Sequence, residues 1–106
     1  MFQSLVEGLN EKGGGVRAYD AVARAAAARI PTEPDAAAAL FLISVAAQRF
    51  VDSYDDQPLT VEAATAEFEA FKSHILTLDG AFAAGSAEER LDALNQIAMR
   101  LSALRS

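Results

Sequence analysis

Residues 36–47 read Ala-Ala-Ala-Ala-Leu-Phe-Leu-Ile-Ser-Val-Ala-Ala, with Ser44 the one polar side chain in twelve. A helix that is apolar all round needs cover on every side, so this stretch predicts a central helix around which the remaining elements are arranged. Twelve residues fall short of the roughly 20 that a membrane span requires, and Gln48, Arg49 and Asp52 follow in the same helix. The expectation is a buried helix of a soluble protein, with no membrane partner.

Upstream, Pro31, Thr32, Glu33, Pro34 and Asp35 spell a helix start. Thr32 is the expected N-cap, Pro34 suits the first turn, and Glu33 and Asp35 favour the positive end of the helix dipole. Downstream, the helix becomes amphipathic through Val45, Phe50, Val51 and Tyr54 and stops between Asp55 and Pro58. Before this core, Phe2, Leu5, Val6 and Leu9 recur at helical spacing and predict a short helix from about Phe2 to Lys12. Gly13, Gly14 and Gly15 end it as a hinge, because a phosphate-cradling loop would need a preceding strand and a following Gly-Lys-Ser/Thr. Val16, Tyr19, Ala23, Ala26 and Ile30 mark the next helix. The heptad phase runs on across the glycines, but three of them in one helix would cost about 1 kcal/mol each, so a break is expected.

Leu59 and Thr60 open a further helix, with Thr60 as N-cap and Glu62 in its first turn. Val61, Ala64, Phe68, Phe71, Ile75, Leu78 and Phe82 keep an unbroken three-four alternation, the expected core stripe, with Gly80 near the end as terminator or kink. Ser86 to Glu89 has the Ser-x-x-Glu form of a capping box, and Leu91, Leu94, Ile97, Ala98, Leu101 and Leu104 then line one face. No stretch alternates with period two, so no sheet is predicted. The fold class is all-α: one domain over 1–106, an antiparallel four-helix bundle with helices near 16–30, 34–54, 60–79 and 87–104 and a short additional N-terminal helix. The predicted core is Leu40, Ile43, Phe50, Phe68, Phe71, Ile75, Leu94, Ile97 and Leu101.

Composition narrows function mainly by exclusion. At 106 residues the chain can bury about two-thirds of its unfolded surface, although 24 residues are alanine and contribute more helix propensity than burial. Without cysteine there is no disulfide, thiolate catalysis, thiolate metal site or covalent c-type haem. The opening residues have no basic segment ahead of an apolar run, which places the protein in the cytoplasm. A net charge of −6 and a pI near 4.6 oppose binding to phosphate backbones, so no nucleic-acid partner is expected.

His74 is the single histidine. Phosphotransfer would ask for lysine three and glycine four residues later, where Thr77 and Leu78 stand, and as a metal ligand it has at most Glu67 on its own face. A partly exposed structural histidine is expected. Asp52, Asp55 and Asp56 sit at the C-terminal end of the central helix, against the dipole, in a run with six acids and no base between Arg49 and Lys72. They could hold a cation, but the calcium-loop spacing is absent, and a solvated loop is the favoured reading. Lys12, Arg17, Arg24 and Arg29 form a basic counterpart, expected to complement the acidic middle within or between chains. The serines have no predictable general base, so no catalytic residue, cofactor or metal is assigned.

The expectation is therefore a small non-enzymatic interaction or regulatory module. The alternative is a helical ligand- or metal-binding domain using His74 or the acidic loop. Self-association as a homodimer is expected because something must cover the outer side of the central helix. Phe41 or Leu42 should lie in that contact, unless the N-terminal helix, through Phe2, Leu5 and Leu9, folds over the same surface.

Overall fold

The computed structural model describes residues 1–11 and 14–103. Lys12, Gly13 and Leu104, used above for a helix end and a basic group, a hinge and an apolar face, lie outside them. Five α-helices and no strand occur among the described residues: α1 (Gln3–Glu11), α2 (Val16–Arg29), α3 (Ala37–Tyr54), α4 (Val61–Ala84) and α5 (Ala87–Ala103). Two 3-10 turns, Ile30–Thr32 and Pro34–Ala36, join α2 to α3. The molecule measures 41 × 28 × 19 Å. At 1.5 Å per residue the 24 residues of α4 span about 36 Å and account for most of its length.

The break between α1 and α2 is made by Gly14, at φ +69 in the left-handed region that glycine enters without steric cost, with its amide donating to the Leu9 carbonyl at 3.0 Å. α1 then packs against α2 and α4. The shared heptad phase thus describes two separate helices that bury one side each. Phe2, Leu5, Val6 and Leu9 are all buried in the common core.

The start of α1 is pinned by polar groups. Asp79 of α4 accepts the Phe2 amide at 2.7 Å and the Gln3 side-chain amide at 2.9 Å. Arg29 at the end of α2 donates to the Met1 carbonyl at 3.1 Å, lies over the Phe2 ring, and grips Glu33 with two nitrogens at 2.6 and 2.9 Å. Those bonds hold the Arg29 pKa up and the Glu33 carboxyl below its usual range.

α3 is the hub, touching α2, α4 and α5. Ala39, Leu40, Ile43, Ala46, Ala47 and Phe50 form its buried line, at the three- and four-residue steps that share a helix face. Thr32 does not cap it. Its hydroxyl turns back to the Arg29 carbonyl at 3.0 Å, and the first turn opens as a 3-10 helix on Pro34 instead. By length and composition Pro34–Tyr54 also suffices to cross a membrane, at mean hydropathy 1.3, so the twelve-residue argument alone does not separate the two cases. Here its buried line faces other helices of the same chain.

Thr60 and Ser86 cap as expected, accepting from the Ala63 amide at 3.0 Å and the Glu89 amide at 3.2 Å. Gly80 ends nothing: α4 passes through it to Ala84. The stop is at Gly85, where a Cβ would run into the Ala81 carbonyl that accepts the Gly85 amide. Of the predicted core, Leu40, Ile43, Phe50, Phe71, Ile75, Ile97 and Leu101 are buried, while Phe68 and Leu94 are half-buried. The α4 seam closes only from Phe71 onward, because Val61, Ala64 and Phe68 line an open groove with Leu9, Asn10 and Gly14. On α5, Ala93 is buried, whereas Leu91 and Ala98 of the predicted face are exposed.

Candidate functional site

On the outer side of α3 the fold leaves an apolar surface uncovered. Phe41 is 58% exposed there, with Leu42 and Val45 half-buried beside it. α1 does not cover this side: Phe2, Leu5 and Leu9 are spent inside the chain, against α2 and α4. The lid alternative is corrected accordingly. The apolar period of α1 showed which face it buries but carried no information about which neighbour receives it.

What flanks Phe41 is α5. Phe41, Leu42 and Val45 on one wall and Ala98, Leu101 and Ser102 on the other enclose a groove of about 270 Å³. A second groove of about 290 Å³ continues from Val45 and Leu101 past Gln48, Arg49, Asp52 and Ser53. Together they run along α3 from Phe41 to Ser53. The α5 wall was missed in the sequence, and its signal was charge: no ionisable side chain occurs from Ala36 to Gln48 or from Ala93 to Met99. In a chain that is 23% charged, the six residues that line the first groove carry no ionisable group, although on α5 only Ala98 falls within the uncharged stretch and Leu101 and Ser102 follow Arg100. Depletion of charge is the compositional mark of an interface centre.

A second constellation lies across the helices from this face. Arg49 of α3 donates to Glu67 of α4 at 2.9 Å, tying the two helices where both side chains are about one-quarter exposed. Tyr19 of α2 stacks on Phe50 at 3.8 Å between ring centres and meets the Phe71 ring edge-on at 5.5 Å. Its hydroxyl is buried without a hydrogen-bond partner among the described residues. Burial, followed by the Glu67 charge, pushes its pKa up to about 12, against a smaller opposing effect of Arg49. His74 is half-buried, as expected, with Nδ1 enclosed and without a partner among the described residues. Burial is the main cause that lowers its pKa, and the positive charges of Arg100 and Arg49 lower it further. The lowered pKa favours the neutral imidazole.

The acidic loop assembles no ligand set. Asp52 accepts from the Gln48 side-chain amide at 3.0 Å, while Asp55 and Asp56 are exposed and Asp56 takes the left-handed conformation at φ 57 that aspartate tolerates. Among the described residues no three His, Asp or Glu side chains come together as metal ligands. Within the chain, Arg24 and Arg29 pair elsewhere than with the acidic middle. Arg24 pairs with Asp20 on its own helix at 3.1 Å and Arg29 with Glu33, since partners four residues apart lie closest. No protein-family model, curated protein or solved structure matches this chain.

Proposed function

We propose that the chain is a small non-enzymatic interaction module of the cytoplasm that docks another protein surface, a second copy of itself foremost, through the α3–α5 face. The observation that carries this is the exposed Phe41 ring on a groove whose six lining residues, drawn from α3 and α5, carry no ionisable side chain. A large apolar side chain continuous with an apolar recess marks an interaction surface, where one standing singly would not. In this reading α2, α3, α4 and α5 form an antiparallel four-helix bundle with α1 as an added helix. Tyr19 near the start of α2 stacks on Phe50 near the end of α3, and only Gly85 and Ser86 separate α4 from α5, both as an antiparallel arrangement requires. Membrane and nucleic acid are not partners in this reading, because the buried line of α3 is covered by other helices of the same chain and the net charge is −6.

The test places a photo-cross-linking phenylalanine analogue at Phe41 and, separately, at the exposed Glu69 of α4, in the native cell. Discrete adducts from Phe41 alone are expected. Equal, diffuse labelling from both sites would show that the α3–α5 face docks nothing.

A further inference from the structure

We infer that the α3–α5 groove is the receptor for Phe41 of a second copy, so that two chains pair about a two-fold axis with each Phe41 ring placed in the other's groove. This deepens the docking-surface reading and rests on it. The knob and the hole belong to one face: Phe41 stands exposed on the groove's lip, and Leu42, Val45, Ala98, Leu101 and Ser102 form the recess beside it. A two-fold contact needs a surface that complements itself, so that residue i meets j while j meets i. A face carrying its own knob next to its own hole meets that need, whereas an unrelated partner would have to supply both separately.

Size and charge agree with this occupant. An apolar cavity of about 150 Å³ accommodates a benzene molecule. The groove, at about 270 Å³, has room for a phenyl ring. At −6 per chain, two copies repel one another over most of their surfaces, and the contact that avoids this is one without ionisable groups. The six residues lining the Phe41 groove include none, although Arg100 stands next to Leu101 in sequence. A basic partner would instead be drawn to Asp52, Asp55 and Asp56, away from Phe41.

Sedimentation velocity at micromolar concentration tests the pairing, with circular dichroism as the check on folding. The wild-type chain is expected at twice 11.2 kDa. Phe41→Ala removes the knob and Ala98→Trp fills the hole while leaving Phe41 in place; each is expected to raise the dissociation constant by on the order of tenfold or more. Ser102→Trp, at another exposed position of the groove, replaces Ala98→Trp should that variant lose helicity. A dimer broken by Phe41→Ala but as tight as wild type with the groove filled would overturn the seating of the ring and leave self-association standing. A monomeric wild type that still gives discrete cross-links from Phe41 overturns the second copy alone, and a monomer without such cross-links removes the docking surface as well.

Discussion

The α2–α3 pair and the α4–α5 pair are both helical hairpins, yet they are held together by different materials. Between α2 and α3 alanines make up much of the buried line, Ala18, Ala23 and Ala26 on one helix and Ala39, Ala46 and Ala47 on the other, with Val22, Leu40 and Ile43 interspersed and the Tyr19–Phe50 stack as a pair of large rings across it. Small side chains let the two backbones approach closely over their whole length, and this is the most extensive helix contact in the molecule. α4 and α5 are kept further apart by Phe71, Ile75, Leu78, Phe82, Ile97 and Leu101. Apart from the Tyr19–Phe50 stack, one hairpin is stabilised by proximity and the other by bulk. Alanine count is thus a poor guide to core size but a good one to helix spacing. Opposite substitutions should damage the two pairs.

Removing bulk should have the largest effect. Phe71→Ala deletes a buried ring that also supports Tyr19, and should cost about 3–5 kcal/mol in urea denaturation. An unchanged midpoint would mean that the α4 side is not held by its large residues. Adding bulk should hurt the other pair. Ala39→Leu, at a position with no exposed surface, should cost about 1–3 kcal/mol by forcing α2 and α3 apart, whereas Ala66→Leu on the exposed side of α4 should stay within about 0.5 kcal/mol. Equal tolerance of both would dissolve the contrast.

Gly80→Ala offers an opposite sign. Gly80 sits inside α4 with open space where a Cβ would project, so alanine should stabilise the wider hairpin by about 0.5–1 kcal/mol, read as a higher midpoint. The smallest effect concerns acid. His74 has its folded pKa below the ordinary 6.5, so the unfolded chain binds the proton more readily and stability should fall as pH drops from about 6.5 through the lowered folded value. The difference in stability between wild type and His74→Gln, measured at pH 7.5 and 5.5, should shift in favour of the variant at the lower pH. A pH-independent difference would place His74 in water rather than against α3 and α5.

The same contrast explains what could be read from the sequence. Helix number, the Thr60 and Ser86 caps and most large core residues follow from local signals, in which side chains act on their own or adjacent turns. Thr32 misled because a hydroxyl five residues before a helix can equally bond back to the helix it leaves. Gly80 misled because its cost in a helix interior is about 1 kcal/mol, less than the packing of Leu78 and Phe82 on either side of it provides. The apolar surround of α3 was legible, and with it the exposed Phe41. Its opposite wall was not, because Ala98 and Ser102 are ordinary surface residues until the fold sets them beside Leu42 and Val45.

Asp79 gives the chain an order of assembly. Its carboxylate holds residues 2 and 3 from 77 and 76 positions away, so α1 can take its place only once the far end of α4 exists. The α2–α3 hairpin, whose contacts close over a seven-residue link, needs no such wait. Ring closure over so long a separation is entropically slower than closure over a short one. α1 should therefore be the last helix to acquire protection in pulsed hydrogen exchange and the first to lose it near the native state. It should behave as a separate cooperative unit, tied to the rest by Asp79, Arg29 and four apolar side chains.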